Sequence, residues 1–230
     1  LPSAYLGARV LQAIRTDVPW FQPTRLGLRV RGFARARQAT HIAGCATPLA
    51  GGHARARARV TQKHEPVLEV EALGSIGQPA SGARPRPVPG ALAAFARAIE
   101  LPARDYSRLE EWPIEFVLAL AAAGVEAEHE DGLARLIRLT LDVISTAELD
   151  RSLHLTIDAV RPVSGDTARV FYHVVAGRTR LVARGDALVL SALAHAPALA
   201  QRVPPVSASR DSLPRRATIA QLIRTRRSVA

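Results

Sequence analysis

The 230 residues carry 31 Lys and Arg against 20 Asp and Glu, a formal net charge of +11, and are 48% hydrophobic and 22% charged. That mixture is typical of a folded chain and excludes wholesale disorder; the sequence has no uncharged apolar run of 18 residues, and Leu1 to Arg9 lacks the basic-then-apolar order of a secretory signal, so a soluble, cytoplasmic protein with no membrane partner is expected. Lys63 is the only lysine, the basicity is almost all arginine alongside abundant alanine, and aromatics are 4%, too few for base-stacking platforms, so nucleic acid is not an expected partner.

Leu6, Val10, Leu11 and Ile14 recur at helical spacing after Pro2 and Ser3, which predicts a helix over Ala4 to Ile14. After a turn-rich stretch from Pro19 to Pro23 the period becomes 2: Leu26, Leu28 and Val30 alternate with Gly27, Arg29 and Arg31, the pattern of a half-buried strand. A short strand over Thr40 to Thr47 follows, closed by Pro48 and Gly51-Gly52, and Cys45 within it is expected to be a small buried thiol. As the only cysteine it excludes an internal disulfide and a Cys-rich zinc site. Ala54, Ala56, Ala58 and Val60 alternate with Arg55, Arg57 and Arg59, a ladder read as a solvated sheet face. Val67 to Leu73 then sets Leu68 and Val70 against Glu69 and Glu71.

Gly, Pro, Ser and Arg crowd the stretch from Gly74 to Gly90, which reads as a linker. Helical spacing returns over Ala91 to Ile99 and again from Pro113, a suitable first-turn residue, to about Ala127. Strands are then expected at Ile137 to Val143, with Arg138, Thr140 and Asp142 on the face opposite Leu139, and at Leu153 to Val160. A turn at Pro162 to Asp166 leads to Ala168 to Val175, and Leu181 to Leu190 closes the series. His41, His154 and His173 lie in strands without ligand spacing, so no metal and no cofactor is expected.

The second half repeats the first. Gly51 to Val60 corresponds to Gly165 to Val174, and Pro66 to Leu73 corresponds, within about a residue, to Arg180 to Ala187. A helix leading four strands, written twice, implies an α+β chain of two similar modules whose exposed edges pair into one sheet. The organisation is residues 1–75 as the first module, with or without its first strand, 76–90 as linker, 91–195 as the second module, and 196–230 as a basic, partly disordered tail with a helix at Ile219 to Arg224.

Certain stretches resemble the double hot-dog acyl-CoA thioesterases of the type II bacterial kind. Gly7-Ala8-Arg9-Val10-Leu11-Gln12-Ala13 is similar to the Gly-Gly-x-x-x-x-Gln-Ala opening of that family's first helix, with Ala8 in place of the second glycine and one residue fewer before Gln12. Arg25 to Val30 before Gly32 and Phe33, and Thr61-Gln62 before a turn and an apolar strand, also fit its plan. Ile114-Glu115-Phe116 sits where the family carries Ser-Asp-Phe, whose aspartate holds the attacking water, and Thr140-Leu141-Asp142 is similar to its Ser/Thr-Leu-Asp strand, whose hydroxyl holds the same water. The family's third partner, a glutamine on the last strand, is absent; that neighbourhood reads Arg184-Gly185-Asp186-Ala187. The resemblance implies a double hot-dog fold, hydrolysis or binding of an acyl-CoA or acyl-carrier thioester, Glu115, Thr140 and Asp186 as candidate catalytic residues, and a homo-oligomer. Two alternatives remain open: a non-catalytic acyl-binding hot-dog protein, and a hot-dog enoyl hydratase or dehydratase, whose Asp-x-Asn-Pro-x-His sequence does not occur here.

Overall fold

A computed structural model describes residues 3–18, 20–32, 34–35, 38–77, 85, 87–127, 135–190 and 206–208. Helix α1 (Ser3–Asp17) buries Leu6, Val10, Leu11 and Ile14, the stripe that its spacing demands. Strands β1 (Phe21–Val30), β2 (His41–Pro48), β3 (His53–Gln62) and β4 (Glu65–Ile76) follow, then α2 (Gly90–Ala98) and α3 (Ile114–Ala127). The chain continues through β5 (Arg135–Val143), β6 (Leu153–Ser164), β7 (Thr167–Ala176) and β8 (Arg180–Leu190), and a short strand β9 (Val206–Ala208) ends the described part.

The nine strands among the described residues form one antiparallel sheet in the order β2-β3-β4-β1-β5-β8-β7-β6-β9. The order β2-β3-β4-β1 and its mirror β5-β8-β7-β6 show the repeated unit, and the two units meet where β1 pairs with β5, Gly27 opposite Thr140. The exposed edges are thus satisfied by joining them, as the repeat implied. α1 packs on strands of the first unit, α3 on those of the second, and the two helices pack on each other. Leu26, Leu28, Val70 and Ala72 from one unit and Leu139, Leu141, Val174 and Ala187 from the other turn to the helices and belong to one continuous core. Each large side chain so buried stabilises the fold by about 1.5–3 kcal/mol. Gly7 is where α1 comes closest: a Cβ there would lie 3.1 Å from Leu28 and 3.4 Å from Leu118.

Several elements depart from the sequence pattern for identifiable reasons. β1 begins at Phe21, within the stretch expected to turn, because β5 pairs only with Arg25 to Arg29 and leaves Pro23 outside that ladder, beside a register shift. β6 likewise runs on through Pro162, since β9 pairs only with Leu153 to Leu155 and the missing N–H costs nothing on an open edge. In β5 a bulge between Leu136 and Arg138 leaves Ile137 unpaired, so Leu136 takes the buried position that strict alternation from Leu139 would give to Ile137. Cys45 is exposed rather than buried, because β2 is an edge strand and Cys45 lies on the face away from the helices, opposite Arg57. The helix expected at 219–224 lies outside the described residues. Among the described residues no helix is long and apolar enough to cross a membrane.

Candidate active site

Helix α3 starts from a pinned loop. Trp112 donates its backbone N–H to Ala147 and its indole N–H to the Arg151 carbonyl, both at 2.8 Å, and Leu149 donates to the Glu110 carbonyl at 3.0 Å. Pro113 then accepts from Phe116 at 2.9 Å and Val117 at 3.2 Å, opening α3. Glu115 falls in the first turn, and its side chain is fully buried.

A carboxylate so placed needs partners, and the other helix supplies them. Arg15 of α1 donates to both Glu115 oxygens, at 2.9 and 2.8 Å, and the Gln12 amide donates to Glu115 Oε1 at 2.5 Å and to the Tyr106 hydroxyl at 3.2 Å. Gln12 and Arg15 stand three residues apart, on one face of α1. Burial, reinforced by the Glu115 charge, pushes the Tyr106 phenol far above its ordinary value and keeps it a proton donor. Aromatic rings close the surroundings: Phe116 lies 4.6 Å from Trp112 and 5.3 Å from Phe95, and Phe95 lies 6.2 Å from Tyr106, centre to centre. Arg15 is 31% exposed in its side chain, so it forms the route from Glu115 to solvent.

Thr140 and Asp186 are cross-strand partners on β5 and β8, and the Thr140 hydroxyl donates to Asp186 Oδ1 at 2.6 Å. They sit on the opposite face of the sheet, since the neighbours Leu139, Leu141 and Ala187 carry the buried face. The structure therefore joins two of the three candidates to each other and leaves Glu115 with a different set: Gln12, Arg15 and Tyr106. Gln12 lies inside the stretch that resembles the family's first helix. Arg15 and Tyr106 carried no motif; the one available signal was the spacing of Arg15 from Gln12. Asp142 pairs with Arg25 of β1 at 3.3 Å, across the junction. His173 pairs with Asp158 at 2.6 Å on the outer face.

Burial raises the Asp186 carboxyl, but the Thr140 hydroxyl and the Arg169 guanidinium at 2.9 Å outweigh it and hold the group below its ordinary value. Thr140→Val is expected to cost about 1–2 kcal/mol at neutral pH. Because the native carboxyl titrates below its unfolded value of about 3.9, this contribution is complete above that pH and is lost as pH falls through the native pKa. Urea melts at stepped pH should show wild type and variant converging in acid; a constant gap would exclude the ionised pair.

One antiparallel sheet holding two side-by-side helices, each unit supplying one helix and four strands, defines a double hot-dog protein. The solved structures it is similar to include the tesB protein of Mycobacterium avium subsp. paratuberculosis (TM-score 0.60, 11% identity, covering 83% of this chain and 86% of that one). Others are an acyl-CoA thioesterase II of Mycobacterium marinum (0.56, 16%, 82% and 88%) and the 12:0-ACP thioesterase of Umbellularia californica (0.52, 8%, 77% and 75%). No family model and no curated protein matches the sequence. At such identities the likeness establishes the architecture alone.

Proposed function

We propose that this chain hydrolyses an acyl thioester, with Glu115 as the base that takes a proton from water. The observation that carries this reading is a fully buried carboxylate in the first turn of α3, clamped by Gln12 and Arg15 from the other unit. A thioester carbonyl brought to that turn would meet backbone N–H groups that lack in-helix acceptors, the donors suited to a developing oxyanion. Gln12 and Tyr106 orient the carboxylate, and Arg15 must release one oxygen for water to be held there. The thioesterases of like fold support the choice of substrate class, a CoA or carrier-bound acyl group. Thr140 and Asp186 act in this reading by fixing β5 to β8 beneath α3. Self-association is part of the proposal and is measurable by light scattering.

Acyl-CoA of graded chain length should release free thiol, and Glu115→Gln should lower kcat by about 100-fold or more with the fold retained by circular dichroism. Undiminished turnover in that variant would remove Glu115 from the chemistry. A non-catalytic acyl-binding role is favoured by one observation: both Glu115 oxygens already accept from Arg15. Saturable acyl-CoA binding without thiol release would select it, and hydration of a crotonyl thioester would select the hydratase class.

A further inference from the structure

The sheet face turned away from α1 and α3 holds a groove of about 1190 Å³. The register lays its charges out in rows. Arg59, Glu69, Arg29 and Arg138 follow one another across β3, β4, β1 and β5, and Arg57, Glu71, Gly27 and Thr140 form the next row. The acids in these rows are engaged: Glu69 accepts from Arg31 at 2.8 Å and Arg59 at 3.3 Å, and Glu71 from Arg55 and from Arg57 at 3.5 Å. Asp142, beyond them, takes Arg25 at 3.3 Å.

Arg29 and Arg138 meet acids only through longer-range charge, Arg29 acting on Glu69 and Arg138 on Asp186. They stand directly opposite each other where the two units join, and among the described residues neither makes an ion pair or a side-chain hydrogen bond. Like charges in that position destabilise a strand pair. Gly27, one row from the two arginines on β1, and Ala43, on the β2 edge, offer little or no side chain to the groove floor. We propose that the groove binds a small phosphate dianion, free or as a monoester, bridged by the Arg29 and Arg138 guanidiniums. Two planar forks on facing strand positions that line one groove suit the oxygens of a phosphate. Glu69 and Glu71 in the same groove repel an extended phosphate backbone, and no aromatic side chain lines it to stack a base. A second copy of the face is disfavoured too, since five arginines against two glutamates line it. This site is separate from Glu115 and does not rest on the thioester reading.

Calorimetric titration of the full chain with inorganic phosphate and with glycerol phosphate, glycerol serving as the uncharged control, tests the site. Saturable binding of either phosphate and none of glycerol is expected, the tighter of the two identifying the source. Arg29→Ala/Arg138→Ala should weaken binding about tenfold or more while leaving the melting temperature unchanged or about 1–3 °C higher, through relief of the opposed charges. A merely structural pair would lose stability instead. Arg151→Ala, whose head group pairs with Glu148 elsewhere, should bind as wild type. Retained affinity in the double variant, or binding of a DNA duplex that this variant abolishes while the phosphates fail to bind, would overturn the proposal.

Discussion

Arg15→Leu is expected to destabilise the protein by about 3–5 kcal/mol, because it leaves a fully buried carboxylate with only the uncharged Gln12 and Tyr106 as partners. With Arg15 in place Glu115 has no exposed surface. The cost is therefore that of an uncompensated internal charge and not the small value of a surface pair. Adding Glu115→Leu to the same chain should recover most of the loss, since an apolar pair of similar bulk tolerates the site. Equilibrium urea denaturation of the four members of this cycle measures the coupling. A single-variant loss under about 1 kcal/mol would mean that Glu115 is not held as an anion by Arg15.

Gly185→Ala is the second large effect, expected at about 3 kcal/mol or more. A Cβ at this position would fall inside the Thr140 carbonyl oxygen and 2.8 Å from the Tyr172 hydroxyl. The bare backbone is what lets Tyr172 reach across β8 and donate to that carbonyl at 2.6 Å. Burial, with Asp186 and Asp142 nearby, pushes the Tyr172 phenol well above its ordinary value, so it stays a donor throughout the accessible pH range. The substitution must either part β5 from β8 or expel the tyrosine, and both open the core beneath α3. Thermal melting should show the loss, and a variant as stable as wild type would contradict the packing described.

The repeat was the feature most legible in the sequence, because helix and strand periods depend on burial alone and both units bury the same kind of face. The joining of β1 to β5 followed from the same logic, as two open edges in one chain. What stayed hidden depends on partners distant in sequence. Pro23 and Pro162 sit in strands because of which neighbours stop short of them, and no local pattern records that. Cys45 was misplaced because a small residue in an alternating stretch does not say which face is wet. Glu115 carried a motif, but its partners lie 100 and 103 positions away, in a helix whose own amphipathic pattern accounts for it without them. Thr140 and Asp186 each had a motif position, yet the alternation that put Leu139 and Leu141 inside already turned Thr140 outward.

The clamp on Glu115 has a consequence for the duplication itself. Its acid and Tyr106 come from the second unit and Gln12 and Arg15 from the first, so the two units divide the labour: neither holds a complete set. Expressed apart, each would present a raw strand margin and an orphaned polar group, and the intact chain should lose both together, in a single cooperative melt with no half-folded plateau.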